Sequence, residues 1–134
     1  MAEPVLPIVG DANRPFWDGA AVGELRFQRC MACGHLRYPI APICPRCLAA
    51  DATWEPVSGR GSVLSFVVFH RAYHPSRAEA VPYAVTLVQT EEGPRMFSDL
   101  PVGEEIGLAV GDPLEVWFDT ADAVTVPRFR RAAP

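Results

Sequence analysis

Cys30, Cys33, Cys44 and Cys47 are all the cysteines of this chain. They fall as two CxxC pairs with ten residues between them, inside "FQRCMACGHLRYPIAPICPRC". A CxxC pair sets two sulfurs on one tight turn with backbone N–H groups pointing at them. Two such turns facing each other make a tetrahedral thiolate site, with metal–sulfur distances of about 2.3 Å for zinc. Four protein ligands leave the metal no open position, so its role is structural rather than catalytic. Gly34 follows the first pair and suits a knuckle that needs positive φ. Leu48 follows the second, a less suitable residue for the same turn. The spacer is short for a doubled CxxC site, yet sufficient for a short out-and-back ribbon. Iron in a rubredoxin-like site would use the same ligands and stays open. A redox dithiol needs one CxxC rather than two matched pairs, and disulfides need an oxidising compartment. His35 lies beside a ligand set that is already full and reads as a ribbon surface residue.

The rest of the chain has to position that ribbon. At 134 residues it is long enough for one domain, or one domain with a small appendage. Fourteen prolines, about twice the usual share, argue against long helices and for short elements joined by turns. All twelve basic residues are arginine, which excludes Schiff-base and other lysine chemistry. The N-terminus "MAEPVLPIVGDANRP" has no basic leader region and is broken by Pro4 and Pro7, so no signal peptide is expected. No apolar run approaches the roughly 18 residues of a membrane span. The expected compartment is the cytoplasm, where thiols stay reduced.

Residues 11–28 read as short helical pieces, with Asn13 as a cap and Pro15 in the first turn. Phe16 and Trp17 are adjacent and cannot share one narrow face. Either one packs on the body and the other stays available to a partner, or both tuck in. After the ribbon, Ser58-Gly59-Arg60-Gly61 makes a turn. Five runs rich in Val, Phe, Tyr and Thr follow, at 62–70, 82–90, 94–99, 113–119 and 123–129. Five short strands suggest a small closed barrel of the oligonucleotide/oligosaccharide-binding (OB) type, with an SH3-like barrel as the alternative. The fold class is therefore mainly β: N-terminal short helices over 1–28, a rubredoxin-like four-cysteine zinc ribbon over 29–55, and a five-stranded OB-fold barrel over 56–134.

These stretches, taken together, resemble the zinc-ribbon/OB-fold acyl-CoA-associated proteins, long known as a domain of unknown function. The resemblance is carried by Phe16-Trp17-Asp18-Gly19, "QRCMACGHLRYP", "CPRC", "WEPVSGRGSVLSFVVFHRAYHP", "VPYAVTLVQTEEGPRMFSDL" and "VTVPRFR", and covers about residues 13–131. It implies an accessory subunit of a thiolase-fold enzyme, such as a thiolase, an acyltransferase, or a retro-aldolase that shortens steroid-CoA side chains. The partner would supply the catalytic residues and the barrel would contact acyl-CoA. Because thiolase-fold enzymes are usually dimers, a heterotetramer of two partner chains and two of these is expected.

The residues themselves agree with that role. The cysteines are committed to metal and the three histidines are scattered at 35, 70 and 74, so no nucleophile, base and orienting group can be picked out and no catalytic residue is assigned. The loop "HRAYHPSRAEAVPY" holds His70, Arg71, Tyr73, His74 and Arg77. Loops in this position of OB barrels commonly bind ligands, so these residues are candidates for acyl-CoA or partner binding, against the plainer reading of a solvated polar loop. Phe16, Trp17, Arg37 and Tyr38 are candidates on the ribbon side, with Ile40 beside them. Two other classes compete: a single-stranded nucleic-acid binder with the same two modules, and a stand-alone acyl-CoA enzyme. Arg26, Arg29, Arg37 and Arg46 stand without an acid between residues 25 and 50. Four thiolates on zinc cancel part of that charge, and the chain as a whole carries −4. A protein that tracks phosphates needs many uncompensated cations, so nucleic-acid binding is expected to be weak and to vanish at physiological salt.

Overall fold

The computed structural model describes residues 5–133, and the ends of the sequence ranges 1–28 and 56–134 (residues 1–4 and 134) lie outside them. One helix, α1 (Arg14–Ala21), precedes a three-stranded antiparallel sheet of β1 (Arg26–Cys30), β2 (Leu36–Arg37) and β3 (Ala52–Pro56), in the order β2-β1-β3. The helical reading of 11–28 therefore holds only for its middle. Residues 26–28 are strand, because Phe27 and Gln28 turn inward and the whole of β1 pairs with β3, from Arg26 opposite Pro56 to Cys30 opposite Ala52. The boundaries at 28/29 and 55/56 thus fall inside paired strands.

Asn13 does start the helix, and Pro15 sits in its first turn, where a missing N–H costs nothing. The cap is made by the Asn13 carbonyl, which accepts from the Phe16 and Trp17 N–H groups at 3.1 and 3.4 Å. Its side chain faces backwards instead, accepting from Gly10 N–H and donating to the Ile8 carbonyl.

The barrel is built from β4 (Arg60–Phe69), β5 (Tyr83–Thr90), β6 (Arg95–Asp99), β7 (Pro113–Asp119) and β8 (Val126–Arg131), in the order β6-β5-β4-β7-β8. This is the OB arrangement, with β4 as the long curved strand that serves both halves. It pairs with β5 along its length and with β7 only through Arg60–Ser62. Its ladder shifts register between Val63 and Ser65, the irregularity that lets one strand bend between two neighbours. Gly61 sits at this crossing. A Cβ there would stand 2.6 Å from the Gln89 carbonyl oxygen, so only glycine lets the strands approach.

Alternation along β5 and β6 sends Ala84, Thr86, Val88, Met96 and Ser98 inward. Thr86 is fully buried and donates to the Ser98 carbonyl at 2.9 Å. Val63, Leu100, Leu108, Leu114 and Phe129 complete the barrel interior. Phe16, Leu25, Phe27 and Leu36 from the helix and ribbon belong to the same contiguous core, so the two modules are packed as one body.

The barrel closes between β6 and β8 through side chains. Phe129 N–H donates to Ser98 Oγ at 2.7 Å. Arg128 donates to Asp99 at 2.7 Å and to Asp119 at 2.9 Å, tying three strands together. Arg77 adds a second bond to Asp99 at 3.0 Å. Burial alone would lower the Arg128 pKa, but Asp99 and Asp119 more than offset it and hold it above the ordinary value, so this guanidinium stays charged. Among the described residues no helix is long and apolar enough to cross a membrane.

Removing Arg128 leaves Asp119 without a cation and Asp99 with Arg77 alone, both carboxylates being partly buried. Arg128→Met should therefore destabilise the fold by about 2 kcal/mol, read as a lower urea midpoint. An unchanged midpoint would show that closure does not depend on this ion pair.

Candidate metal centre and the faces around it

The two knuckles are built alike. Cys30 N–H donates to the His35 carbonyl and the Cys30 carbonyl accepts from Gly34 N–H, at 2.9 and 3.0 Å. Fourteen residues on, Cys44 N–H donates to the Ala49 carbonyl and the Cys44 carbonyl accepts from Leu48 N–H, at 2.8 and 2.9 Å. The closing residue of each turn is left-handed, Gly34 at φ 79° and Leu48 at φ 65°. Leucine at the second position is thus held in a conformation that glycine adopts freely. The shared geometry, which the spacing alone did not reveal, brings the four sulfurs within 4.8 Å of one another.

Cys30 lies 3.5 Å from Cys47, and Cys33 lies 3.7 Å from Cys44. A tetrahedron with metal–sulfur bonds of about 2.3 Å has edges of about 3.8 Å. The sulfurs therefore stand where tetrahedral ligands belong and too far apart for disulfides, which need about 2.05 Å. Cys30 and Cys44 are buried while Cys33 and Cys47 face outward, so a bound ion would be half covered by protein.

Cys30 and Cys47 are shifted in opposite directions. Hydrogen bonding from the Cys33 backbone leads the causes that pull the Cys30 thiol down to about 6. At Cys47 the Ala49 backbone lowers the value, but the neighbouring sulfurs, Cys30 foremost, push it up to about 11. Four thiols this close cannot all ionise without a cation between them. A metal held by thiolates must displace protons on binding. Its affinity therefore rises with pH and falls as acid returns those protons.

The other candidate residues form two groups. On the ribbon side, Phe16 and Trp17 meet edge to face at 4.9 Å, and Tyr38 packs against Phe16 and Phe27 at 5.9 and 5.3 Å. Both adjacent aromatics therefore tuck in, Phe16 fully and Trp17 partly. Trp54 of β3, which lies within a stretch of the family resemblance but not among the candidate site residues, joins this cluster. Burial pushes the Tyr38 hydroxyl's pKa up, so it stays protonated. Arg37 is buried at 5% exposure, although arginine normally keeps its head in water. An open cleft of about 630 Å³ runs from His35 and Arg46 to the Glu92–Pro94 turn of the barrel.

The second group lies on the loop between β4 and β5. His74 Nδ1 accepts from Ser76 N–H at 3.1 Å and caps the short helical turn Pro75–Arg77. Arg77 is committed to Asp99 and to the face of Tyr83, 4.1 Å from the ring centre. His70, Arg71 and Tyr73 remain outward, with Arg71 stacked 5.4 Å from the Tyr73 ring and Tyr73 at 74% exposure. The loop thus divides into a structural half and an exposed half, a distinction that its sequence does not make.

Two changes test this centre. Cys44→Ser removes a buried ligand and should lose the metal by elemental analysis and disorder the ribbon in amide spectra, since metal binding and folding are coupled in such sites. Leu48→Gly relieves the left-handed strain at a side chain that is 69% exposed. It should raise stability by about 0.5–1 kcal/mol in urea unfolding. A loss of stability there would mean that the leucine side chain itself supports the knuckle.

Comparison with known proteins matches this architecture. Residues 17–52 fit the family model of the ChsH2 rubredoxin-like zinc ribbon domain, and residues 54–119 that of the ChsH2 C-terminal OB-fold domain. A probable enoyl-CoA hydratase alpha subunit of Thermomonospora curvata is 34% identical over 129 residues, which are 96% of this chain and 40% of that relative. The chain thus spans about two fifths of that relative's length. A DUF35 domain-containing scaffold protein of Methanothermobacter thermautotrophicus is 30% identical over 96 residues, 71% of each chain. Among solved structures, a chain of the Ltp2-ChsH2(DUF35) aldolase superposes with a TM-score of 0.83 at 34% identity, covering 96% of this chain and 100% of that one. With both modules matched in order and a scaffold relative covered over most of its length, the chain belongs to the DUF35 family, in the ChsH2 form of a rubredoxin-like zinc ribbon followed by an OB fold.

Proposed function

We propose that this chain is an accessory subunit of an enzyme complex acting on acyl-CoA thioesters, and that its partner is a thiolase-fold enzyme. The observation that carries the reading is the likeness, over the whole of the other chain, to the ChsH2(DUF35) component of an Ltp2-ChsH2 aldolase. The partner supplies the catalytic groups, and this chain supplies a rigid ribbon-and-barrel body that docks on it. Cys30, Cys33, Cys44 and Cys47 hold a structural zinc that keeps the ribbon folded. The assembly has two partner chains and two of these, because thiolase-fold enzymes are usually dimers. A steroid-CoA retro-aldolase is one form the complex can take.

The surface supports docking. Tyr73 and Arg71 at the loop tip are of the residue types that dominate interface energetics. Exposed Val67 and Phe97 lie on strands β4 and β5's neighbour β6, where a partner can cover them. Arg46, Arg71 and Arg95 are exposed and have no carboxylate partner among the described residues, and of these Arg46 and Arg71 have no side-chain hydrogen bond either, which leaves them free for CoA phosphates. Eight of the twelve arginines are paired with carboxylates, and this favours the acyl-CoA reading over a nucleic-acid one, which needs a continuous path of free cations.

The test is co-expression with thiolase-fold enzymes of the same genome, followed by sizing chromatography and acyl-CoA turnover. The complex should elute as a heterotetramer and be active, the chain alone should turn over no CoA ester, and Tyr73→Ala should weaken assembly by more than about 1 kcal/mol. Separate elution, with turnover by this chain alone, would overturn the accessory-subunit reading.

A further inference from the structure

Arg37 and Gln28 stand directly opposite each other on β2 and β1. Both reach for the backbone of Ala41. Arg37 Nη2 donates to its carbonyl at 3.0 Å, and Gln28 Oε1 accepts from its N–H at 3.0 Å. This pins the segment after Pro39 back onto the sheet and uses one of the three guanidinium nitrogens. The other two, Arg37 Nε and Nη1, are buried and have no partner among the described residues. The Trp17 indole N–H is in the same condition.

These two side chains line one small cavity, of about 100 Å³, together with Phe16, Phe27, Tyr38 and Trp54. A buried guanidinium is stable only when its donors are satisfied, and a buried cation calls for an anion. The cavity is several times larger than the roughly 10–15 Å³ that one water needs. Apart from Asn13 its other lining residues are aromatic or apolar, and Arg37 is the one cation among them. A phosphate dianion would need more positive charge than this, whereas a carboxylate carries one charge and two acceptor oxygens on an apolar stem.

We propose that Arg37 and Trp17 form a carboxylate-binding pocket, with the guanidinium Nε and Nη1 and the indole N–H as its donors and the aromatic walls around the acid's carbon stem. The acid is either an aspartate, glutamate or C-terminus of a partner subunit, or a free small carboxylic acid. The partner-subunit source of the acid rests on the accessory-subunit function proposed above, but the first test uses the chain alone, so the two can fail separately.

The full-length, zinc-loaded chain is titrated with sodium acetate, and in parallel with sodium chloride at equal ionic strength. The Trp17 indole N–H and Arg37 Nε–H resonances are followed in 15N-resolved NMR spectra. Acetate should shift both resonances saturably and chloride should not. Arg37→Gln, which keeps a donor for Ala41, should weaken the apparent acetate affinity by at least about tenfold. Arg37→Lys, which keeps the charge, provides a second variant, and unchanged zinc content certifies that either one is folded. Trp17→Phe should weaken acetate binding less than Arg37→Gln does. If Arg37→Gln also weakens assembly with the co-expressed enzyme, the acid belongs to the partner; if assembly is unchanged while acetate binding is lost, it is a free small acid. No saturable acetate shift, equal shifts with chloride, or long-lived water at both N–H groups that acetate does not displace would each overturn the pocket.

Discussion

Four sulfurs held within 4.8 Å of one another are the constraint on which the ribbon depends. Such a cluster is unfavourable as four thiolates, and a cation held between them would offset that repulsion. Cys30 ends β1 and Cys44 lies beyond the loop that follows β2, while β3 begins just past the second knuckle. Bringing these points together fixes the length and direction of everything between them. The short β2, the turn back through Tyr38 and Pro39, and the seat of Ala41 between Gln28 and Arg37 all follow from that closure.

The barrel solves a different problem. Its strands pair by backbone ladders along β6-β5-β4-β7-β8, but the last seam, between β6 and β8, is held by Ser98, Asp99 and Arg128. Side-chain closure leaves that seam sensitive to single substitutions in a way that a ladder is not. It also explains why the loop between β4 and β5 is half rigid. Arg77 reaches Asp99 in the same network, so that half of the loop is anchored to the seam while Arg71 and Tyr73 project from it.

The distribution of arginine connects both modules to function. Most of the guanidinium groups are spent within the fold on carboxylates, including the three strands joined by Arg128. Among the described residues four are left over and differ in kind: Arg46, Arg71 and Arg95 meet solvent, while Arg37 is enclosed with aromatic neighbours. A solvated arginine offers steering and phosphate contact, whereas an enclosed one offers selectivity, because an occupant must replace the water it excludes.

The sequence by itself determined the ligand set and the order of the modules. Two matched CxxC pairs favour a four-sulfur metal site over disulfides or a redox dithiol, and five β-rich runs separated by turn residues favour a small barrel. It placed the five barrel strands to within a few residues, because alternation and glycine-bearing turns are local signals. It misassigned residues 26–28 as helical, since β1 is fixed by pairing with β2 and, over its whole length, with β3, about 25 residues away. Asn13 looked like a side-chain cap for the same reason: the residue type suits capping, but whether the amide faces the helix or the preceding turn is decided by the path of the chain. The candidate residues on the ribbon and on the loop were named from their types, and only the tertiary structure separated the committed from the available. His74 and Arg77 are engaged within the fold, Tyr73 is exposed, and Arg37 is buried with nitrogens to spare. The physical reason is that burial and hydrogen-bond satisfaction are properties of neighbours distant in sequence, and no local pattern encodes which donors will be left without a partner.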